Sequence, residues 1–592
     1  MPRLAPIRRL ALLAVALLAT SACTGTLVDA NGTDLVPTTC SCTAPAGASP
    51  VCLPAGGCDF VCQGDLLKCG GGCVTCSAPA NASPACVQDA CGFSCNAPAR
   101  LCPAGAAGAA SCQVENDLSC GTSCAACAGP ATGPGRGICQ PGPAVGAGTC
   151  AIACDAGNHA CGGSCFADDD AAHCGPGCLA CTAPPNASPL CAGGGCAFAC
   201  NPGWMRCGDG CCRASAVAAG GEFGCAIVDD GRVRCWGAND RGQLGDGSTT
   251  FRPVPGDVVG LPASPARAVA LATGWAHACA VVAPGGQVWC WGDNTTGELG
   301  PGATGPFSSR PVQVTGVSGV AAPPSPAAPP PIAAGGGTAG TPPAPFGHTC
   351  AIGAGGLACW GANGSGQLGD GTTVTSSAPR PVTGVTGASA LAAGERHTCA
   401  VGAGGLACWG ANGSGQLGDG TTTQSSLPRP VSGASPASFV AAGRAFSCAI
   451  AGATPQLLCW GENGEGQVTT SPPPPDTQPT PIAPSLGGGF APGLVATGRA
   501  HACGLEPGSA TLKCFGANGQ SQLTGAPSAT GKVDVTLTGA VGSANAVVAG
   551  GNHSCALLVD GSVQCWGAND RGQTGTGLPG ASVVTPTFVS GR

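Results

Sequence analysis

The chain has 592 residues with a formal net charge of −7, and only 9% of its residues are charged. Its length accommodates several domains, and the lack of any surplus of basic residues argues against nucleic acid as a partner. Glycine (103 residues) and proline (54) are abundant enough to be typical of disorder, but 45 cysteines and two internal repeats indicate a crosslinked, ordered protein.

The N-terminus has the pattern of an export signal. Three arginines among the first nine residues precede the apolar run 10–18, and small residues then lead to Cys23. This order predicts a signal peptide of residues 1–22. The small residues before the cysteine resemble the bacterial lipoprotein signal, in which Cys23 would carry a lipid. That signal usually has Leu where Thr20 stands, so cleavage with an unmodified Cys23 is the alternative. We expect an exported lipoprotein of the outer membrane or cell surface, or otherwise a secreted protein.

The next segment changes from a tether to a cysteine-rich repeat. Residues 23–39 are predicted to be a tether, whereas residues 40–212 contain 30 cysteines. The motif Cys-(Thr/Ser)-Ala-Pro-x-x-Ala-Ser-Pro-x-Cys begins at Cys42, Cys76 and Cys181. These segments have too few large apolar residues for a core, and exported chains meet an oxidising environment, so we predict a disulfide framework. Its connectivity cannot be read from the sequence.

Metal binding is the alternative for this region. Three motifs have the spacing of zinc ligands: Cys73-x-x-Cys76, Cys124-x-x-Cys127 and Cys178-x-x-Cys181. Only His159 and His173 accompany them, and an oxidising compartment does not keep thiolates reduced, so disulfides are favoured. The acidic run 168–170 could contact calcium, but a solvated loop is favoured. We predict no metal site.

A second repeat occupies residues 214–592, with a period near 50 residues and strand-like content, which predicts the blades of a propeller. Two proline-rich stretches, 316–347 and 469–494, are predicted to be exposed, mobile insertions. Each of seven copies has a pair of cysteines: Cys225 and Cys235, Cys279 and Cys290, Cys350 and Cys359, Cys399 and Cys408, Cys448 and Cys459, Cys503 and Cys514, and Cys555 and Cys565.

The spacing of the paired cysteines predicts their register. A three-residue loop, 229–231, with Gly231 in the left-handed conformation would make a bulged hairpin, and counting outward places Cys225 opposite Cys235. Where the spacing changes by one, a four-residue loop preserves the pairing. Facing residues of a non-hydrogen-bonded pair lie within disulfide range, so we predict one cross-strand disulfide in each of the seven blades.

Aromatic residues and histidines recur at fixed positions of the repeat. Histidine stands two residues before five of the first cysteines, but phenylalanine replaces it in two copies, which favours packing or a capping hydrogen bond over metal binding: His277, His348, His397, His501, His553, Phe223 and Phe446. The tryptophan of each Cys-Trp-Gly, or Phe515, is predicted to pack between blades. Trp275 and Trp289 are unshared and are the candidate binding residues. The glycine pattern at 364–369 resembles a dinucleotide motif, but it opens no helix and recurs at 413–418, so it is interpreted as a blade loop.

These motifs resemble the regulator of chromosome condensation repeat family: His-x-Cys-Ala, then Cys-Trp-Gly-x-Asn-x-x-Gly-Gln-Leu-Gly-Asp-Gly, then Arg-Pro-x-x-Val. The resemblance implies a seven-bladed propeller of four-stranded blades. The family includes a nuclear exchange factor for a small GTPase and a secreted bacterial beta-lactamase inhibitor protein. An exported chain meets no nuclear GTPase, so exchange activity is not expected, and extracellular binding is the closer analogy.

The sequence therefore predicts an all-β protein, a seven-bladed β-propeller preceded by a disulfide-rich, loop-dominated repeat region. We expect residues 585–589 to complete blade one and so close the ring. The predicted function is that of a surface-anchored, non-catalytic binding or scaffold protein, without a cofactor, whose propeller loops contact an extracellular protein or glycan. The alternatives are a secreted inhibitor or regulator of an extracellular enzyme, and an enzyme acting in the propeller mouth.

Overall fold

The computed structural model describes residues 128 and 130–590, apart from 141–148, 163, 340–343, 470–475, 487–489, 507–510, 536 and 538–542; between 23 and 126 it describes the backbone of twelve short strands. The predicted signal peptide lies outside the described residues. Within them, no helix has the length and apolar character needed to cross a membrane. The chain divides into two compact units, one formed by Met1–Cys181 with Leu190–Ala197 and the other by Thr182–Pro189 with Phe198–Arg592.

The first unit is a series of short antiparallel hairpins. Strands β1 to β16 pair in sequence as eight two-stranded sheets. Their bounds are β1 Cys23–Val28, β2 Asp34–Cys40, β3 Ala48–Cys52, β4 Cys58–Cys62, β5 Leu67–Cys69, β6 Gly72–Val74, β7 Ala82–Val87, β8 Ala90–Cys95, β9 Arg100–Cys102, β10 Ser111–Gln113, β11 Ser119–Cys120, β12 Ala125–Ala126, β13 Gly135–Gln140, β14 Thr149–Cys154, β15 Asn158–Cys161 and β16 Ser164–Ala167. The hairpin β1–β2 lies within the segment predicted as a tether.

Disulfides hold the described part of this unit together, as predicted. The bonds are Cys154–Cys165, Cys161–Cys178, Cys174–Cys191 and Cys181–Cys196. Cys174, Cys181 and Cys191 form its small buried centre. The two cysteines of the motif Cys178-x-x-Cys181 thus bond to different partners. The motifs at 73–76 and 124–127 lie largely outside the described residues.

The two histidines of this unit bind side chains and backbone of the same loop. His159 Nδ1 lies 3.2 Å from Asp168 Oδ1, and its Nε2 contacts the His173 carbonyl oxygen. His173 Nδ1 lies 3.1 Å from Asp170 Oδ2, and its ring stacks on Phe166. Asp168 and Asp169 are exposed and Asp170 is partly exposed, so the acidic run lies in a solvated loop, as the sequence favoured, and two of its carboxylates contact the histidines.

The second unit contains a seven-bladed propeller in which each blade is a four-stranded antiparallel sheet of consecutive strands. Before it come β17 Ala187–Ala192, β18 Gly195–Cys200, β19 Met205–Cys207 and β20 Gly210–Cys212. The first four blades are β21 Ala214–Ala219, β22 Phe223–Val228, β23 Val233–Gly237 and β24 Arg252–Asp257; β25 Arg267–Thr273, β26 His277–Ala283, β27 Gln287–Asp293 and β28 Phe307–Gln313; β29 Ile332–Ala339, β30 Ala344–Gly353, β31 Gly356–Gly361 and β32 Ser376–Pro381; and β33 Ala390–Ala393, β34 His397–Gly402, β35 Gly405–Gly410 and β36 Ser425–Pro430. Blades five to seven are β37 Ala437–Ala442, β38 Phe446–Ala451, β39 Gln456–Glu462 and β40 Thr477–Ile482; β41 Leu494–Thr497, β42 His501–Leu505, β43 Leu512–Asn518 and β44 Ser528–Val535; and β45 Ala544–Ala549, β46 His553–Leu558, β47 Val563–Asn569 and β48 Gly580–Phe588.

Burial and proline content follow the position of a strand in its blade. Second strands such as β22 are buried along their whole length, because a blade packs against a neighbour on each side. Fourth strands are outermost edges and carry proline, as in β24 and β36, since an edge strand tolerates the missing backbone donor.

The ring closes differently from the prediction. The last strand, β48, pairs with β47 of its own blade, and blade one obtains its fourth strand from its own Arg-Pro-Val segment in β24. Among the described strands of the propeller, none is shared between the termini. Blade seven meets blade one through contacts of the same kind as those between the other blades, including the bond from Trp236 Nε1 to the Gln573 carbonyl oxygen at 3.0 Å.

The two predicted insertions are shorter than expected. Within 316–347, residues from Ile332 onward already form β29 and the start of β30, and within 469–494 the strand β40 completes blade five. Part of the first linker is also ordered, because Ser318 and Gly319 hydrogen-bond to the hairpin turns of blades three and two. These strands lie within proline-rich stretches, so composition alone did not predict them.

Seven apolar clusters hold the blades together, and each one lies at a single blade interface. Each contains the aromatic residue of the Cys-Trp-Gly strand of one blade, packed on residues of the preceding blade, which confirms the predicted role of these rings: Trp236, Trp291, Trp360, Trp409, Trp460, Phe515 and Trp566. All seven are fully buried.

Residues 198–212, predicted to belong to the cysteine-rich region, group with the propeller. Met205 is 1% exposed and joins the apolar cluster between blades seven and one. Disulfides Cys200–Cys211 and Cys207–Cys212 brace this segment, and Arg213 stacks on Trp204, with its guanidinium carbon 4.2 Å from the ring centroid. The boundary of the propeller unit therefore precedes Ala214.

Candidate binding site at the channel mouth

All seven predicted cross-strand disulfides are present. In each blade the two cysteines face each other on the second and third strands, with Cα–Cα distances of 4.0–4.1 Å. The bonds join Cys225 to Cys235, Cys279 to Cys290, Cys350 to Cys359, Cys399 to Cys408, Cys448 to Cys459, Cys503 to Cys514 and Cys555 to Cys565.

The register of these cysteines is also the predicted one. In every blade the two bonded cysteines are direct partners in the hairpin ladder, whether the chain between them is one residue shorter or longer. All fourteen are fully buried. The bonds lock each hairpin, so they support the binding surface without forming part of it.

Seven glycines bring the inner strands into backbone contact around the central channel. They follow the first strand of each blade or, in blade three, lie within it: Gly220, Gly274, Gly335, Gly394, Gly443, Gly498 and Gly550. A Cβ atom on any of them would lie 2.2–2.9 Å from the carbonyl oxygen of the equivalent glycine in the next blade. No side chain fits at these positions, which is why the repeat requires glycine there.

The repeated histidine or phenylalanine fills the space beside the glycine of its own blade. The ring carbon Cε1 lies 2.2–2.8 Å from the position that a glycine Cβ would take, for phenylalanine and histidine alike. The two residue types are therefore interchangeable in shape here. This confirms that the ring at this position of the repeat serves packing.

The polar edge of the histidine joins one blade to the next. Four histidines place Nε2 2.9–3.0 Å from a hydroxyl of the following blade: His277–Thr349, His348–Thr398, His397–Ser447 and His501–Ser554. In blade four, Thr398 Oγ1 donates its own proton to the Gln367 carbonyl oxygen at 2.8 Å, so it accepts a hydrogen bond from His348 Nε2–H. The predicted capping hydrogen bond is confirmed at these four interfaces.

Burial keeps these histidines neutral. It lowers the pKa of His277, His397 and His501 to about 3, and that of His348 and His553 to about 4. Because all five rings are also buried behind the channel glycines, they do not face a ligand in the channel.

The residue after each channel glycine sets the chemistry of the mouth. Three consecutive residues from every blade line a central depression of about 90 Å³. The first two are alanine or threonine and then glycine, whereas the third varies: Gly221, Trp275, Gly336, Glu395, Arg444, Arg499 and Gly551. Blades two, four, five and six thus provide all the large side chains of the mouth.

Arg499 and Trp275 meet across this mouth. The guanidinium carbon of Arg499, in blade six, lies 5.7 Å from the Trp275 ring centroid in blade two, within the range of a cation–π contact. The intervening blades seven and one present Gly551 and Gly221, which leave the path open. In the part of the chain that the structure describes, no carboxylate lies within 4 Å of the exposed Arg499 guanidinium.

The remaining charges at the mouth are paired. Arg444 forms an ion pair with Glu462. Arg396 stacks on Phe346, with its guanidinium carbon 4.3 Å from the ring centroid, and its Nε lies 3.7 Å from Glu395 Oε1. Burial raises the pKa of Glu395, against the opposing effect of the nearby arginines.

Sequence analysis identified one residue of this site. Trp275 lies at the mouth, whereas Trp289 is half-buried on β27, opposite Ala280, and does not join the site. Glu395, Arg444 and Arg499 were missed. Their signal was present in the sequence, because the position after the channel glycine is the variable one in an otherwise repetitive segment.

The repeats of this chain match a known family of repeats. The regulator of chromosome condensation (RCC1) repeat matches residues 214–243, 268–298 and 545–573 in one form, and residues 230–281, 354–401 and 404–450 in another. The matched segments of the propeller are therefore similar to RCC1 repeats, and they lie in blades one to five and in blade seven.

The relatives of this chain are matched over short segments. The E3 ubiquitin-protein ligase HERC2 of Homo sapiens is 37% identical over 103 residues, 17% of this chain and 2% of that protein. The mitochondrial RCC1 domain-containing protein RUG3 of Arabidopsis thaliana is 30% identical over 17% of this chain and 22% of its own length. The secretion-regulating guanine nucleotide exchange factor of Mus musculus is 27% identical over 28% of this chain and 36% of its own length. The chain spans about a third or less of each relative.

Solved structures share the propeller fold of this chain. Yeast RCC1 (Prp20) bound to Kap60 superposes with a TM-score of 0.50 at 20% identity, covering 64% of this chain and 85% of that chain. Prp20p from Saccharomyces cerevisiae, which was solved together with an account of its binding to Gsp1p and histones, has a TM-score of 0.50 at 20% identity. The match covers 64% of this chain and 87% of that chain. At this identity the likeness concerns the fold alone.

Proposed function

We propose that this protein is a non-catalytic binding protein whose RCC1 propeller contacts a partner protein at the channel mouth. The observation that carries the proposal is the concentration of non-repeated Trp, Arg and Glu side chains at one position of the repeat, on a rim of otherwise glycine, alanine and threonine. Binding residues stand out as departures from a repeat, because the repeated residues are those that the fold requires. Yeast RCC1 (Prp20), which has the same fold, binds Kap60 in one structure and is described with Gsp1p and histones in another, which agrees with a binding role.

The histidines support a non-catalytic role. All five propeller histidines are buried behind the channel glycines with lowered pKa values. The mouth therefore has no histidine to act as a general base, and the half-buried Glu395 lies beside Arg396 rather than beside a nucleophile. Exchange activity on a GTPase is not proposed.

An oxidising compartment supports action outside the cytoplasm. Thirteen disulfides connect the described cysteines from 154 onward, and such density is typical of exported proteins. Together with the predicted signal peptide of residues 1–22, this favours a surface protein anchored by a lipid on Cys23. If so, Cys23→Ala releases the chain into the soluble fraction or blocks its processing. A processed Cys23→Ala protein that stays in the membrane fraction excludes the lipid as anchor.

Site-specific crosslinking tests the contact surface. A photo-reactive phenylalanine replaces Trp275 in the full chain, and the half-buried Trp289 position provides a matched control. We expect a defined protein adduct on the cell surface from position 275 and none from position 289. Adducts of equal yield at both positions, or at neither, contradict the proposal.

A further inference from the structure

We propose that the channel mouth receives a carboxylate carried by a loop of the partner protein, and that Arg499 binds this carboxylate. The inference rests on the proposed function and names the chemistry of its partner. Arg499 is exposed, and no carboxylate of the described residues lies within 4 Å of its guanidinium. A planar guanidinium binds a carboxylate through two parallel hydrogen bonds.

Trp275 restricts the conformations of the Arg499 side chain. Contact with the ring, at 5.7 Å from guanidinium carbon to centroid, restricts a side chain that would otherwise lose much rotamer freedom on binding. A cation–π contact uses the charge of the guanidinium and not its N–H groups as donors, so these groups can still bind a carboxylate. Arg499 is therefore held over the mouth with its donors available.

The charge balance of the mouth favours an anion. Arg396, Arg444 and Arg499 face only two carboxylates of the described residues, Glu395 and Glu462. Arg396 and Arg444 each have an ion-pair partner within 4 Å, whereas Glu395 acts on Arg499 only over a longer distance. An inserted carboxylate neutralises Arg499, in a chain whose overall formal charge is −7.

The backbone of the mouth argues for a carboxylate rather than a phosphate. Phosphate sites in loops use several free backbone N–H groups. Here the N–H groups are used between blades: Glu395 N donates to the Gly443 carbonyl oxygen at 3.2 Å, Arg444 N to that of Arg499 at 3.3 Å and Gly551 N to that of Gly221 at 3.0 Å. The side chains of the mouth must therefore provide the contacts to a ligand.

The size of the mouth favours a single side chain. About 90 Å³ accommodates roughly six water molecules, which is comparable to the end of a Glu or Asp side chain. It is below the ~300 Å³ at the low end of small-molecule pockets, which favours one side chain over a sugar ring or a nucleotide. A loop that presents one acidic residue at its tip fits.

Two cyclic peptides test the inference, one with two adjacent glutamates at its turn and one with glutamines instead. The full chain is titrated with each while the indole N–H signal of Trp275, assigned with Trp275→Phe, is followed by NMR. We expect the glutamate peptide to bind at least about tenfold more tightly, which is the low end for a charged, bidentate contact. Arg499→Gln should abolish this preference, whereas Arg310→Gln, an exposed arginine on β28, should leave it unchanged.

Three results overturn the inference: equal affinity for the two peptides, a preference that survives Arg499→Gln, or displacement of the glutamate peptide by an equal concentration of inorganic phosphate. Arg499→Lys, which keeps the charge but loses the planar fork, should retain part of the preference and serves if Arg499→Gln perturbs the fold. If the preference is absent while position 275 still crosslinks to a partner, the inference fails and the proposed function stands.

Discussion

His348 in blade three and Thr398 in blade four lie 2.9 Å apart, Nε2 to Oγ1, and this pair reveals a rule for the whole ring. Histidine in one blade occurs with threonine or serine in the next at four interfaces. Where phenylalanine replaces histidine, the next blade has alanine: Phe223 with Ala278, and Phe446 with Ala502, each pair within one apolar cluster. At the interface between blades seven and one, His553 has Gly224 at the corresponding position, which offers no hydroxyl. Donor and acceptor are thus matched across blades, with one exception.

The rule predicts strong coupling between the two positions. Thr398→Ala leaves a buried His348 donor without its acceptor and should cost about 1–3 kcal/mol. Adding His348→Phe recreates the pairing seen at Phe446 and Ala502, so the double variant should be more stable than the sum of the single changes by about 0.5–3 kcal/mol. Chemical unfolding of the four proteins measures this. Additive effects contradict the rule.

Acid should destabilise the propeller through its histidines. Their pKa values are lowered to about 3–4 in the fold and return to about 6.5 on unfolding. The unfolded chain therefore binds more protons, so this stability is complete above pH 6.5 and is lost as pH falls towards 4. Between pH 6 and 5 each histidine contributes up to about 1.4 kcal/mol per pH unit.

Unfolding free energies at pH 7, 6 and 5 check the expectation. His348→Phe with Thr398→Ala removes one titrating group, so its slope against pH should be smaller by about 1.4 kcal/mol per unit. An unchanged slope means that His348 does not titrate as proposed.

Glu298 should have the opposite pH dependence. It occupies the position of the glutamine found in the other blades, such as Gln243 and Gln367. Burial, and then the neighbouring Asp293, raise the pKa of Glu298 to about 8. The stability linked to its proton is complete below pH 4.5 and is lost as pH rises to about 8.

Glu298→Gln should therefore stabilise the protein at pH 7–8 and weaken the dependence on alkaline pH. Glutamine keeps the hydrogen bond that Glu298 Oε2 accepts from Thr296 N at 2.8 Å, as Gln367 Oε1 does from Ser365 N. The reverse change, Gln367→Glu, should destabilise over the same range. Melting temperatures of the three proteins from pH 5 to 9 test this prediction. If Glu298→Gln is less stable than the unchanged protein at pH 8, the raised pKa of Glu298 is contradicted.

The blade disulfides should be individually modest. Each closes a loop of about ten residues, worth roughly 2–3 kcal/mol by loop-closure entropy, within a propeller that has its own aromatic core. Cys399→Ala with Cys408→Ala should lower the free energy of unfolding by that amount and leave the ring folded.

Reduction should affect the two regions unequally. Within residues 154–197 the described disulfides surround a small buried centre, whereas residues 198–212 group with the propeller. We therefore expect residues 40–197 to lose protease resistance well before residues 198–592 do. Limited proteolysis across a series of reductant concentrations measures the order. Simultaneous loss would show that the propeller depends equally on its crosslinks.

Local geometry explains what could be predicted from the sequence. The register of Cys399 with Cys408 follows from hairpin loop length, and the burial of Trp409 from its repeated position. Ring closure could not be predicted, because a circular repeat has no internal sign of which strand starts a blade. The contact between Arg499 and Trp275 was equally hidden, since it joins residues three blades apart across the channel.

Because every blade contains all four of its strands, a blade can be copied as a complete unit. Residues 353–373 and 402–422 are identical in sequence, as expected of a recent duplication of one blade into its neighbour. A duplicated blade brings both residues of the interblade hydrogen bond with it. In blade four, for example, the His397 ring bonds to the following blade and the Thr398 hydroxyl bonds to the preceding blade. Ring size could thus change by whole blades during evolution, with the mouth residue of each new copy free to diverge.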